Sequence, residues 1–95
     1  MQTYESKGVQ DSHEFAALLL EKLPPVIARE KVEELTGGIV TGKTLANADA
    51  QKDPDKQGPE VAYRVGRKVV YSSASLVDWI VGRFPIRRIA NLKTL

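Results

Sequence analysis

Three cationic side chains lie close together at the tip of a predicted β-hairpin in the C-terminal half of the chain. Apolar and polar residues alternate over residues 60–71, and Gly66 suits the positive φ of a tight turn. Arg67 and Lys68 follow Gly66 directly, and Arg64 lies one strand position before the turn. Such a cluster favours contact with the phosphates of a nucleic acid, although exposed hairpin tips also carry Lys and Arg for solubility alone.

A second group of polar side chains lies near the start of a predicted helix over residues 41–50. Thr41 is the expected N-cap, and Leu45 and Ala48 are the inward positions. The side chains placed to contact DNA near the N-terminus of this helix are Lys43, Thr44 and Asn47. Lys, Thr and Asn hydrogen-bond to phosphates and base edges in a major groove.

The segment before this helix predicts another short helix. Ala28, Val32 and Leu35 mark an apolar face over residues 28–35, with Arg29 on the outward face. Residues 36–38, Thr-Gly-Gly, end the helix because glycine tolerates the left-handed conformation after a C-terminus. Two short helices joined by a glycine-containing turn form a helix-turn-helix, whose second helix enters the major groove.

Residues 37–44 also match the GxxxxGK[ST] pattern of a phosphate-binding P-loop. A P-loop follows a buried strand in a large α/β domain, whereas residues 31–35 predict a helix. A chain of 95 residues is also too short for the rest of that machinery. The context therefore argues against nucleotide hydrolysis.

Composition excludes several kinds of site. The 95 residues make one small domain with no cysteine and a single histidine, His13, which we interpret as inert. Disulfides, a thiol nucleophile and a multi-histidine metal site are therefore absent, and no nucleophile–base pair or carboxylate pair in an apolar setting can be assembled. We expect no enzyme activity, no cofactor and no metal. The chain has neither an apolar run of membrane-spanning length nor a secretory signal, so we expect a cytoplasmic protein without membrane contact.

Charge is distributed unevenly along the chain. Residues 1–60 hold seven Lys or Arg against eleven Asp or Glu, a net charge of −4, whereas residues 61–95 hold seven against Asp78 alone, a net charge of +6. The cationic C-terminal third favours an anionic partner such as nucleic acid, although a basic tail can also be merely solvated.

The N-terminal part predicts a lead-in and one helix. Residues 1–11 have no periodic apolar pattern and are interpreted as a flexible lead-in. Asp11 or Ser12 could cap a helix over residues 12–22, and the prolines at 24 and 25 end it. Its apolar stripe, interpreted as core packing, consists of Phe15, Leu18, Leu19 and Leu23.

The C-terminal part predicts an exposed loop over residues 51–59 and, after the hairpin, a helix that starts near Ser73 and ends before Pro85. Ser72 or Ser73 would cap this helix, with Ser75 and Asp78 as an alternative capping box. Trp79 is expected to be the main core anchor.

The chain is thus divided into a lead-in (1–11), a main domain (12–83) and an apolar, basic tail (84–95). The tail could lie on DNA, pair with a second subunit or be disordered.

The order of these elements resembles the small winged helix-turn-helix proteins of the excisionase and MerR-like type from prophages and mobile elements. Residues 64–71 (RVGRKVVY) match the wing of that family, residues 75–80 (SLVDWI) match the helix that follows, and residues 27–38 look like its first helix and turn. The resemblance covers residues 26–83. It implies a mainly α fold with a small β-hairpin, in the winged helix-turn-helix class.

The resemblance also implies binding of double-stranded DNA without catalysis, as a transcriptional regulator or an excisionase-like recombination directionality factor. The helix at 41–50 would lie in a major groove and the wing at 60–71 on an adjacent minor groove or on the backbone. The expected DNA-binding residues are Arg29, Thr41, Lys43, Thr44, Asn47, Arg64, Arg67 and Lys68. A recombinase or a second copy of the chain would be a further partner.

A different class of function remains open from the residues themselves. A protein-interaction adaptor could keep the same fold and dock on a partner through its tail. The apolar positions available for such docking are Phe84, Ile86, Ile89 and Leu92.

Overall fold

The computed structural model describes residues 3–89, which form a mixed α/β domain with four α-helices and a three-stranded antiparallel sheet. The elements are α1 (Thr3–Lys22), β1 (Val26–Ala28), α2 (Val32–Leu35), α3 (Gly42–Asp49), β2 (Ala62–Val65), β3 (Lys68–Ser72) and α4 (Ser73–Arg83), with 3-10 turns at Arg29–Lys31 and Pro54–Lys56.

The predicted hairpin is confirmed, and it pairs with an additional strand. The sheet order is β1-β3-β2, and Tyr71 in the central strand pairs with Ile27 on one side and Ala62 on the other. Gly66 has a φ of 66° in a two-residue turn, whereas no other residue of the turn has a positive φ, as expected of a type II′ turn.

Strand β1 corrects the helix predicted over residues 28–35. Residues 26–28 are extended, and a 3-10 turn precedes the single helical turn of α2. Two prolines bias the chain before Val26 toward extended backbone, and β-branched Val26 and Ile27 favour a strand. Pairing with β3 buries Ile27 completely, which a helix start at Ala28 would not achieve. The fold is therefore mixed α/β, because the predicted helices and hairpin are joined by a third strand that completes an antiparallel sheet.

The turn after α2 has the predicted glycine ending. Gly37 and Gly38 both have positive φ, and the N–H groups of Gly38 and Gly37 donate to the carbonyls of Glu33 and Glu34 at 2.8 Å and 3.3 Å. This is the bonding pattern of a Schellman motif. Leu35, predicted to face inward, is exposed, and Thr36 is buried in its place.

Thr36 holds the turn together from the inside. Its hydroxyl donates to the Val32 carbonyl at 2.7 Å and accepts from the Val40 N–H at 3.4 Å. A threonine can replace an apolar residue here because its hydroxyl has both partners.

Helix α1 begins at Thr3. The helix start predicted at Ser12 is therefore wrong, and the part of the predicted flexible lead-in that begins at Thr3 is helical instead. No proline interrupts this segment, and the capping residues Asp11 and Ser12 are tolerated inside a helix. Phe15, Leu19 and Leu23 pack against the core as predicted. Leu18 does not, because 66% of its surface is exposed.

The core lies between the sheet and the helices. Its buried members are Ile27, Val32, Val40, Leu45, Tyr71, Leu76 and Ile80. Trp79, the predicted main core anchor, is only partly buried and packs against the outside of this cluster. Its indole N–H donates to the Gln57 carbonyl at 2.9 Å, which ties α4 to the loop over residues 51–59.

Segment 84–89 follows α4 and runs beside α1. The backbone N–H of Arg88 donates to the Asp11 carboxylate at 3.2 Å, and the Arg88 guanidinium lies 4.0 Å from the Glu14 carboxylate. Residues 90–95 of the predicted tail lie outside the described residues. Among residues 3–89, no helix has both the length and the apolar character required to cross a membrane.

Candidate nucleic-acid interface

The start of α3 is capped as predicted. The Thr41 hydroxyl accepts a hydrogen bond from the Thr44 N–H at 3.1 Å, and the two hydroxyls lie 3.0 Å apart. Leu45 and Ala48 are buried, which confirms the inward positions. The side chains of Lys43, Thr44 and Asn47 are exposed on the outer surface of this helix.

A close backbone contact fixes where α3 begins. A Cβ atom at Gly42 would lie 2.9 Å from the backbone oxygen of Arg29, closer than real Cβ contacts. The absence of a side chain at Gly42 therefore lets the N-terminus of α3 approach the 3-10 turn that follows β1.

The other end of α3 is tied to the sheet through Arg29, Asp49 and Tyr71. One Asp49 carboxylate oxygen accepts from the Arg29 guanidinium at 2.6 Å and from the Tyr71 hydroxyl at 2.6 Å, and Arg29 Nε donates to the same hydroxyl at 2.9 Å. This Arg29–Asp49–Tyr71 network joins three elements: the 3-10 turn, α3 and β3. It gives Asp49, an acidic residue on a helix expected to contact DNA, a structural partner.

The network changes the titration of two of its members. Burial and the hydrogen bond to Asp49 raise the pKa of Tyr71 to about 12, against the opposing effect of Arg29. Burial lowers the pKa of Arg29, but its hydrogen bonds to Tyr71 and Asp49 outweigh burial and raise that pKa overall. Both shifts favour the protonated forms of these groups.

The hairpin tip carries the three predicted cations on its exposed surface. Arg64, Arg67 and Lys68 are all exposed, and Lys68 Nζ lies 2.6 Å from a Glu30 carboxylate oxygen. The hydrogen bond and charge of Lys68 lower the pKa of Glu30. Within residues 10–89, Arg64 and Arg67 form no ion pair.

One cavity lies between the start of α3 and the hairpin tip, and the predicted DNA-binding residues that line it are Arg29, Arg67 and Lys68. Thr41, Lys43, Thr44, Asn47 and Arg64 do not line it. This cavity has a volume of about 280 Å³ and lies open to solvent at the N-terminus of α3. Its lining residues are Arg29, Glu30, Gly42, Arg67, Lys68 and Val69. The cationic residues Arg67 and Lys68 and the first residue of α3, Gly42, thus border the same space, where an anion would be favoured.

Sequence reasoning missed the acidic partners of this site. Glu30 and Asp49 lie 38 and 22 residues away from Lys68 and Tyr71 along the chain, so no local pattern links them. The available signal was Asp49, an acidic residue on a helix expected to contact DNA. A partly buried carboxylate needs a cationic partner, so its presence there indicates one. Arg29, predicted to bind DNA, has its guanidinium engaged by Asp49 and Tyr71.

Comparisons with protein-family models, with curated proteins and with solved structures found no match to this chain.

Proposed function

We propose that the protein binds double-stranded DNA as a winged helix-turn-helix protein. Helix α2, the Thr36–Gly38 turn and α3 would form the helix-turn-helix, and the β2–β3 hairpin would be the wing. In this arrangement α3 lies in a major groove, and the hairpin tip contacts an adjacent minor groove or the backbone.

The observation that carries the proposal is the cavity shared by α3 and the hairpin tip. Because Gly42, Arg67 and Lys68 border one open space, a phosphate backbone there would contact the helix N-terminus and the hairpin cations together. Thr41, Thr44 and Asn47 lie along the same helix and would reach base edges or phosphates.

The proposed role is that of a prophage or mobile-element transcriptional regulator, or of an excisionase-like directionality factor that helps a recombinase. Both roles require a small protein that binds duplex DNA without cutting it. In this role Lys43 and Arg64 would add phosphate contacts, whereas Arg29 would support α3 through Asp49 and retain only its remaining N–H donors for DNA.

The test is fluorescence anisotropy of labelled duplexes, of random sequence and from the regions flanking the protein's own gene, at two salt concentrations. We expect salt-dependent binding with one preferred fragment. The double variant Arg64→Ala/Arg67→Ala should bind about tenfold or more weakly, and the slope of log K against log salt should decrease by about 2.

A matched control removes the same charge from elsewhere. Lys22→Ala/Lys52→Ala changes two exposed lysines at the end of α1 and in the loop over residues 51–59. If this control and the hairpin variant lose affinity equally, net charge and not the wing determines binding. Absence of binding at low salt would reject the proposal.

The adaptor function is a second candidate, favoured by the exposure of Ile89 in segment 84–89. Ile89 is 65% exposed and Phe84 is 37% exposed, whereas Ile86 is half-buried beside α1. An adaptor of this kind would bind a protein through these residues and would not be retained on heparin. A DNA-binding protein would be retained until the salt concentration is raised.

A further inference from the structure

A groove beside α1 shares no residue with the cavity of the candidate DNA interface. It has a volume of about 560 Å³ and runs between α1 and segment 84–89. Phe15 and Ile86 lie at its base, half-buried, and Leu18 projects beside it with 66% of its surface exposed. Leu18 lines the groove together with Phe15 and Ile86, so these side chains form one contiguous apolar surface, and such a surface, unlike a single exposed residue, is typical of an interaction site.

The two walls of the groove carry opposite charges. The wall formed by α1 contains Asp11, Glu14 and Glu21, and the wall formed by segment 84–89 contains Arg87 and Arg88. The Arg88 backbone N–H donates to Asp11, and the Arg88 guanidinium lies beside Glu14 of the facing wall. Within residues 10–89, Glu21 and Arg87 form no ion pair, so charges of both signs remain available in the same groove.

We infer that this groove is the contact surface of a symmetric homodimer. A two-fold axis brings identical patches together, so each patch must be complementary to itself. This patch contains both halves of such a contact: a projecting Leu18 with a groove beside it, and an available Glu21 with an available Arg87.

In the dimer, Leu18 of each copy enters the groove of the other, over Phe15 and Ile86. Glu21 of each copy faces Arg87 of the second copy. The burial of Leu18 supplies the hydrophobic contribution, and the two symmetric ion pairs select the register.

Other occupants fit the charges less well. Duplex DNA would be repelled by the three carboxylates of the α1 wall, and an acidic or a basic peptide would match only one of the two walls. A second copy matches both walls at once. The inference does not depend on the proposed function, because the groove and the cavity at α3 have no lining residue in common.

Light scattering of the full chain after size exclusion, over the micromolar range, tests the inference. We expect a mass that rises with concentration toward twice the 10.5 kDa of one chain. Leu18→Glu should raise the dimer dissociation constant about tenfold or more, because it places a carboxylate in an apolar contact beside acidic residues. As Leu18 is exposed in the single chain, this variant should keep its fold, which circular dichroism would verify.

Val65→Glu is the matched control, since Val65 on the hairpin is 61% exposed and receives the same new charge. It should dimerise like the unchanged protein. A mass of one chain at all concentrations, or equal losses in Leu18→Glu and Val65→Glu, would overturn the inference.

A charge exchange tests the register of the dimer. Glu21→Arg and Arg87→Glu should each weaken dimerisation, and the two changes together should restore it, because each new arginine then faces a new glutamate. If the losses in dimerisation free energy of the two single variants simply add in the double variant, the paired arrangement is contradicted. Anisotropy of a short duplex with Leu18→Glu separates dimerisation from DNA binding. The monomeric variant should still bind the duplex.

Discussion

Asp49 at the end of α3 accepts a 2.6 Å hydrogen bond from the hydroxyl of Tyr71, a fully buried residue in the central strand of the sheet. Through this bond the helix proposed to enter the major groove is attached to the strand that forms half of the proposed wing. The same carboxylate oxygen also binds Arg29, so one acidic side chain joins the end of α3 both to the 3-10 turn and to the sheet.

Removing the Tyr71 hydroxyl should destabilise the fold. Tyr71→Phe keeps the ring in the core but leaves Asp49 with Arg29 as its partner, and we expect the free energy of unfolding to fall by about 1–2 kcal/mol. Urea denaturation followed by circular dichroism measures this loss. Tyr63→Phe is the control, because Tyr63 is 56% exposed and should unfold at the same urea concentration as the unchanged protein. Equal midpoints for the two variants would show that the Tyr71 hydroxyl contributes nothing to stability.

The raised pKa of Tyr71 predicts a loss of stability at alkaline pH. Its value of about 12 in the folded state lies above the ordinary value of 10.0, so folding favours the protonated hydroxyl. This contribution is fully present below pH 10.0 and is lost as the pH rises toward about 12. We expect the difference in unfolding free energy between the unchanged protein and Tyr71→Phe to shrink over that interval. A difference that stays constant would contradict the assignment.

The elements that could be predicted from the sequence are those determined by neighbouring residues. Thr41 caps the helix that it precedes, Gly66 forms the turn in which it lies, and the two glycines after α2 end that helix. Each of these signals acts within a few residues of the chain. The exposed candidates Lys43 and Arg67 were found for the same reason, since turn tips and helix N-termini face solvent.

The features that could not be predicted depend on distant partners. Strand β1 has three residues and exists because β3 pairs with it from the far end of the chain. The engagement of Arg29 by Tyr71 joins residues that are 42 positions apart. Arg29 therefore resembles a solvent-facing cation in the sequence, although the folded structure uses its guanidinium to hold α3.

The contact between Gly42 and Arg29 predicts that a single methyl group at position 42 is destabilising. In Gly42→Ala the new Cβ would lie 2.9 Å from the Arg29 backbone oxygen, so the start of α3 must move away from the 3-10 turn. We expect a loss of about 1–3 kcal/mol in the free energy of unfolding.

Gly82→Ala is the control for this change, since a methyl group added to Gly82 in α4 would have nothing within 4 Å and this glycine has no positive φ. Alanine there should stabilise the helix by up to about 1 kcal/mol. Thermal unfolding of both variants gives the comparison. Stabilisation of Gly42→Ala would mean that α3 does not approach Arg29 this closely.

The ion pair between Glu30 and Lys68 predicts a variant that binds DNA more tightly. Glu30 engages Lys68 at 2.6 Å and borders the cavity between α3 and the hairpin, where its carboxylate would repel a phosphate. Glu30→Gln releases Lys68 and removes this repulsion. We expect the affinity for duplex DNA to rise about three- to tenfold and the salt dependence to steepen by about one counterion.

Glu33→Gln makes the same charge change at an exposed position of α2 whose side chain borders no part of that cavity. Anisotropy titrations of both variants at two salt concentrations separate the local effect from the change in net charge. A gain confined to Glu30→Gln would place a phosphate beside Lys68, since only a phosphate in that cavity would be sensitive to which of the two glutamates is neutralised. Equal gains in the two variants would mean that DNA responds to total charge, and a loss in Glu30→Gln would mean that Glu30 is needed to hold the hairpin tip against the 3-10 turn.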